Sequence, residues 1–286
     1  MATFDPEAFR DFERDAHDRL AVGYQKSFTP ITALAIEALL DAALVVESCS
    51  VLDVACGPGL VAAAAARRRA RAIGVDLSPK MIDLARTLHP SLTFKVADVV
   101  GLPFPAGSFD AVVCNFGLGH FPKPDEALAE CVRVLRPGGR IALAWWDSLE
   151  RQRLQAVFRD AIEAAGAYPA ATVPQGHNVF RFSDSTEFEQ LLKRARLQMV
   201  SIRNYAATFD FADANSLWLV GMDSLAVTSS TISAADPATR AAIRRAFDIS
   251  VETYRHHGVL RIPLAYKIGS GQAMATKLAP APMPAS

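Results

Sequence analysis

Three aspartates stand at the carboxyl ends of successive apolar runs: Asp53 in Ser50 to Val54, Asp76 closing Ala72 to Asp76, and Asp98 just past Leu92 to Val96. Between the first two lies the turn Ala55-Cys56-Gly57-Pro58-Gly59. Small residues at such a turn let backbone approach a ligand closely. A carboxylate at Asp53 suits a ligand carrying an ammonium group and would repel a pyrophosphate. Asp76, 17 residues past Gly59, can accept both hydroxyls of a ribose. Asp98 can accept from an exocyclic amine, with Val99 beside it. Each acid alone could equally be a helix cap. Three in series beside a glycine turn form a binding constellation.

Other side chains offer chemistry less sharply. His120, in Gly117-Leu118-Gly119-His120-Phe121, can act as a base or orient its loop. Trp145-Trp146 ends a strand, and one of these rings can stack on a flat molecule or pack the core. Further along, Trp218, Met222 and Tyr254 are candidates for a substrate pocket together with Trp146, and His177, His256 and His257 for polar contacts. No His, Cys or carboxylate group has the sequence spacing of a metal site, so none is expected.

The elements that must position these residues follow from periodicity. Thr29-Pro30 reads as a helix start, with apolar residues at helical spacing to Ala42. Strands are expected at Ser50–Val54, Ala72–Asp76, Leu92–Val96, Phe109–Phe116 and Arg140–Trp146, with helices at Leu60–Arg69, Ser78–Leu88 and Pro124–Leu135. Fully apolar strands alternating with helices specify a parallel sheet covered on both faces. Past Trp146, helices are expected at Leu149–Ala167 and Ser183–Ala195, with a loop at Tyr168–Phe182 between them. Strands are expected at Met199–Phe209 and Leu260–Lys267. Between them, 212–255 reads as two helices broken near Thr228-Ser229-Ser230.

The segments Val51–Gly59, Gly74–Ile82, Ala97–Ala111 and Arg133–Arg140 together resemble the class I S-adenosylmethionine-dependent methyltransferases, especially the small-molecule group that includes ubiquinone and menaquinone methyltransferases. The resemblance is strong over about 24–146 and covers only the general layout beyond. It implies an α/β, Rossmann-like, mostly parallel seven-stranded sheet with a helical cap inserted after strands 5 and 6. It also implies S-adenosylmethionine as cofactor and a small organic acceptor, methylated on O, N or C. By the same resemblance Asp53 and the backbone of Ala55 and Gly57 hold the methionine end, with Gly59 completing the turn. Asp76 holds the ribose; Leu77 and Met81 pack near the adenine; Asp98 and Val99 read its edge. Asn115 offers its backbone to the methionine amine, and Tyr24 closes over the cofactor. Ala55 departs from the family, which often has glycine there. The alternatives are a protein of this fold that keeps the cofactor without methylating, and an NAD-dependent oxidoreductase, against which Asp53 and the Arg136-Pro137-Gly138-Gly139 turn speak.

Four parts are expected: an N-terminal helical lid segment (1–30), the cofactor-binding core (31–146), the rest of the sheet with its cap (147–271), and a disordered tail (272–286). The bulk numbers narrow the partners. The chain has 286 residues, 51% of them hydrophobic, and no formal net charge. Without a basic stripe, nucleic-acid binding is not expected. Four scattered cysteines and a polar N-terminus read as a cytoplasmic protein with reduced thiols. The apolar stretch 31–46 contains Glu37 and Asp41, so no membrane span is expected. Monomer and homodimer both remain open.

Overall fold

The fold was analysed in a computed structural model, which describes residues 4–169, 173, 174, 176 and 178–275. Its helices are α1 (Pro6–Ser27), α2 (Thr29–Thr32), α3 (Ile36–Ala42), α4 (Leu60–Arg67), α5 (Pro79–Leu88), α6 (Pro124–Val134), α7 (Arg153–Ala164), α8 (Ser185–Arg194), α9 (Ala214–Ser224), α10 (Ala226–Ala234) and α11 (Pro237–Val251). The strands are β1 (Ser50–Val54), β2 (Arg71–Asp76), β3 (Thr93–Val96), β4 (Phe109–Asn115), β5 (Leu135–Trp146), β6 (Gln198–Phe211), β7 (Arg255–His256) and β8 (Val259–Gln272).

The strands lie in the order β3-β2-β1-β4-β5-β8-β6, with the two-residue β7 paired to β8. β1 to β5 are mutually parallel, and β8 runs antiparallel between β5 and β6. Seven strands thus form the main sheet, with helices on both faces. Strand order reverses between β1 and β4, and a crevice opens there at the carboxyl ends of both strands. Val51, Leu52 and Val54 of β1 and Val112, Val113 and Cys114 of β4 are buried, as centre strands covered on both faces must be.

The second half departs from the sequence reading in two places. The segment 212–255 holds three helices. Its breaks fall at Leu225 and at Ala235-Asp236, while Thr228-Ser229-Ser230 lies inside α10. Hydroxyl residues can satisfy themselves in a helix by bonding one turn back, as the Thr231 hydroxyl does onto the Val227 carbonyl at 2.7 Å. The second of these breaks is made by Asp236, whose carboxylate caps α11 through the Ala238 and Thr239 amides. Second, β8 extends to Gln272 and Ala273 is buried just beyond it, so the expected tail begins inside the folded structure. The rest of the expected tail, from 276 on, lies outside the described residues. In keeping with the sequence reading, the helix after the loop stays outside the cap: α8 covers β6 and β8.

The cap consists of α7 and α9 to α11, with α1 laid against α9. α1 begins at Asp5, whose carboxylate accepts the Glu7 and Ala8 amides. Gly23 permits its close approach to α9, since a Cβ there would lie 2.6 Å from that of Asp223. Phe158 centres the cap interior. It is fully buried, with ring centroids 4.8 Å from Phe247 and 6.0 Å from Trp218, and its ring occupies the space a side chain on Gly221 would need. Phe158→Ala is expected to cost about 3–5 kcal/mol, measured by urea unfolding. A loss below about 1 kcal/mol would show that the cap closes over the gap.

Candidate active site

The crevice at the β1/β4 reversal is a cavity of about 810 Å³, counting the part open to solvent. α1 roofs it, and the carboxyl ends of β1, β2 and β4, with the turn following β3, form its floor and walls.

The glycine turn is the floor. Ala55, Gly57 and Gly59 all have positive φ, at 53°, 49° and 86°. A Cβ on Gly57 would meet nothing within 4 Å, so its missing side chain opens onto the cavity, which Gly57 lines. Gly59 serves packing instead: a Cβ there would lie 2.7 Å from the Phe94 ring. Ala55 adopts a left-handed conformation that costs an L-residue about 1–2 kcal/mol. Its methyl is accommodated because the facing residue is Gly117, whose own Cβ would lie 2.6 Å away.

The three aspartates play different parts. Asp76 lines the cavity and is held by the Gly57 amide at 2.8 Å and the Ser78 amide at 2.9 Å. Burial lifts its pKa above the ordinary carboxylate range, although both amides pull the other way. Asp98 also lines the cavity and accepts the Val100 amide at 3.2 Å, so it caps a short turn as well. Asp53 requires a correction. Expected to face a ligand, it is fully buried and absent from the cavity wall. Its Oδ2 accepts the Ala62 amide of α4 at 2.9 Å, and its Oδ1 is buried without a partner. Burial pushes its pKa up to about 8, against the pull of the Ala62 amide. Asp53 therefore ties the turn to α4.

Tyr24, Leu77, Met81, Val99 and Asn115 all line the cavity. Asn115 donates through Nδ2 to the Thr32 carbonyl at 3.0 Å, while its Oδ1 is buried without a partner. A shaped backbone opening at Gly57, a carboxylate at Asp76, apolar walls at Leu77 and Met81 and an unused acceptor at Asn115 fit S-adenosylmethionine, a zwitterion joined to a nucleoside.

The aromatic candidates of the cap do not meet there. Trp146 is buried and stacked on Phe116, with centroids 4.0 Å apart. Trp218 packs on Phe158 and Phe247, under Arg244. Met222 packs against the core, and the Tyr254 hydroxyl accepts from Arg153 at 2.8 Å. None of the four lines the cavity; burial of the cap's own apolar face placed Trp218, Met222 and Tyr254, and packing on Phe116 and Phe28 placed Trp146. His256 and His257 sit exposed on a hairpin, and His177 lies outside the described residues.

His120 does line the cavity, together with residues of α1 that the sequence reading passed over: Arg10, Glu13, Arg14 and His17. Glu13 is 4% exposed, and its Oε2 lies 3.0 Å from His120 Nδ1 and 3.4 Å from His17 Nδ1. The available signal was their spacing, i, i+3, i+4 and i+7 along one helix, a polar stripe that Tyr24 continues. Nothing in the sequence joins that stripe to His120, more than a hundred residues away. The fold thus assembles a Glu-His-His trio whose polar atoms lie within 4.8 Å of one another, a grouping that the spacing of cysteines, histidines and acids had not suggested.

Residues 52–143 match the family model of a methyltransferase domain. The chain is 32% identical over 189 residues to a ubiquinone biosynthesis O-methyltransferase of Xanthomonas oryzae, covering 64% of this chain and 76% of that protein. It is 41% identical over 115 residues to a demethylmenaquinone methyltransferase of Deinococcus radiodurans, covering 38% and 48%. In fold it is similar to the YcgJ protein of Bacillus subtilis, with a TM-score of 0.56 at 19% identity over 85% of this chain and 99% of that one. The protein is a Rossmann-like enzyme of the methyl-transferring class. The chain belongs to the S-adenosylmethionine-dependent methyltransferases, with S-adenosylmethionine as its cofactor.

Two outcomes test the cradle. Gly57→Val should abolish binding of S-adenosylhomocysteine in calorimetry with the fold intact by circular dichroism, and Asp76→Ala should weaken it; normal binding by Gly57→Val would place the turn elsewhere. The second concerns Asp53. Its carboxyl keeps its proton to about pH 8 when folded but releases it near pH ~4 when unfolded. Stability of the ligand-free protein should therefore fall as pH rises between those values. Asp53→Asn should flatten that slope in urea midpoints taken across the range, and an unchanged slope would assign it to other groups.

Proposed function

We propose that the acceptor is a small organic molecule whose hydroxyl oxygen is methylated at the polar end of the cavity. The cavity has two chemically distinct ends. One, with Gly57, Asp76, Leu77, Met81, Asp98 and Val99, suits the cofactor; the other, with Arg10, Glu13, Arg14, His17 and His120, carries ionisable side chains from α1 and from the loop after β4. That second end is the observation carrying the reading. S-adenosylmethionine supplies a methyl group on a sulfonium, and in-line transfer asks mainly for alignment and exclusion of water. α1 supplies exclusion by roofing the cavity. A hydroxyl nucleophile also has a proton to lose, and His120 is the group placed to take it. The similarity to a ubiquinone biosynthesis O-methyltransferase of Xanthomonas oryzae supports oxygen over carbon or nitrogen.

Among the described residues no helix is long and apolar enough to cross a membrane. With a roofed cavity and no net charge, the reading is of a cytoplasmic enzyme acting on a small molecule and not on nucleic acid.

The test is a panel of phenols, catechols and matched amines incubated with the enzyme and S-adenosylmethionine, read as S-adenosylhomocysteine formed. Turnover of hydroxyl acceptors, lost on His120→Ala with S-adenosylhomocysteine binding kept, is expected. Turnover of amines alone, or full activity in His120→Ala, would overturn the assignment.

A further inference from the structure

We propose that Glu13 is a positioning residue, the lid-borne carboxylate of a Glu13–His120 dyad that fixes His120 Nδ1 and turns the opposite ring nitrogen toward the acceptor as a general base. The proposal rests on the functional reading above and goes beyond it by assigning a role to α1.

The geometry sets which nitrogen does what. His120 Nδ1 is fully buried and lies 3.0 Å from Glu13 Oε2, within ion-pair distance though the two atoms are not aligned as a hydrogen bond. The His120 side chain as a whole is 38% exposed, so its exposure belongs to the rest of the ring, which carries Nε2. A carboxylate beside Nδ1 holds the proton there and leaves the Nε2 lone pair free. The ring is fixed on two further sides. It meets Trp145 edge to face at 5.6 Å and His17 at 5.1 Å. Trp145 is itself anchored by its Nε1 donating to the Val179 carbonyl at 2.8 Å, and Gly119 is glycine because its Cβ would enter the Trp145 ring.

A buried carboxylate is costly unless paired, so Glu13 at 4% exposure needs a reason to be there. Its neighbours supply one. The groups facing His120 are Glu13 and His17 from α1 and Asp76 from β2, with Arg10 and Arg14 lining the same cavity. Burial by itself would lower the His120 pKa, but Glu13 and, more weakly, Asp76 carry it above the ordinary histidine value. His17 is engaged at Nδ1 by its own helix, donating to the Glu13 carbonyl at 2.8 Å, and so braces the pair.

The position of Glu13 depends on how α1 docks. Asp18, five residues on, receives the Ser78 hydroxyl and the Lys80 amide at the start of α5. That clamp sets α1 across the cofactor end of the cavity and Glu13 over the other end. The base is therefore complete only with the lid in place, when water is already excluded.

The chemical step balances simply. As the acceptor oxygen bonds to the methyl carbon, the methyl–sulfur electron pair stays with sulfur. The hydroxyl proton passes to His120 Nε2, and the resulting imidazolium faces the Glu13 carboxylate until the proton leaves to solvent.

The experiment is nitrogen-15 and carbon-13 NMR of histidine-labelled full-length protein, with His120 assigned through His120→Gln, in wild type and Glu13→Gln. Wild type should show neutral His120 protonated at Nδ1 and titrating above the ordinary value. In Glu13→Gln the titration should fall by about one unit or more. The acid limb of kcat/KM on the best hydroxyl acceptor should move down with it, while the plateau kcat falls at least about tenfold. Affinity for S-adenosylhomocysteine by calorimetry should stay within about twofold. Neutral His120 protonated at Nε2, or an unmoved titration, would overturn the dyad. So would activity that needs an added divalent metal and is lost to a chelator, because the trio would then hold an ion. If S-adenosylhomocysteine fails to bind wild type at all, the functional reading itself falls, which separates the two failures.

Discussion

The reversal of strand order between β1 and β4 is the constraint on which the rest depends. Parallel strands need a crossover on one face or the other. Where successive crossovers change direction, no loop fills the gap at the carboxyl ends. The backbone that rims the gap is free to meet a ligand only if side chains stay out, hence Gly57 with open space where a Cβ would be. The side chains that line the gap must then reach it from the side. Asp76 and Asp98 do so from the ends of β2 and β3, and His120 from the loop after β4.

The turn at the centre of the site is fitted by compensation. Ala55 takes a conformation natural to glycine, and its methyl has room because residue 117 is glycine. Asp53, fully buried, binds the Ala62 amide and joins the turn to the first turn of α4. A carboxylate at that strand end thus acts on the shape of the turn.

α1 covers part of the cofactor cradle. α1 lies over the cavity by packing on α9, through Gly23, and by the Asp18 clamp at α5. The stripe it presents downward is polar, an unusual face for a helix to bury. Pairing of Glu13 with His120 offsets that cost. The apolar residues of the cap, by contrast, are consumed in its own core around Phe158.

The sequence by itself determined the alternating core, the turn and the residues at the strand ends. Strand periodicity, glycine placement and helix caps are local, and each is written within a few residues. The same local logic misjudged Thr228–Ser230, because a side-chain hydroxyl satisfying its own helix looks like a break until its partner is seen. It also mistook Trp218, Met222 and Tyr254 for pocket residues, since burial in a cap core and exposure to a cavity call for the same residue types. What only the tertiary structure decided is the direction in which side chains meet. Asp53 turns to α4 and Asp76 to the cavity, though both end strands. Glu13 and His17 reach His120 because α1 folds back across the sheet, and no pattern along the chain records a contact between residues so far apart.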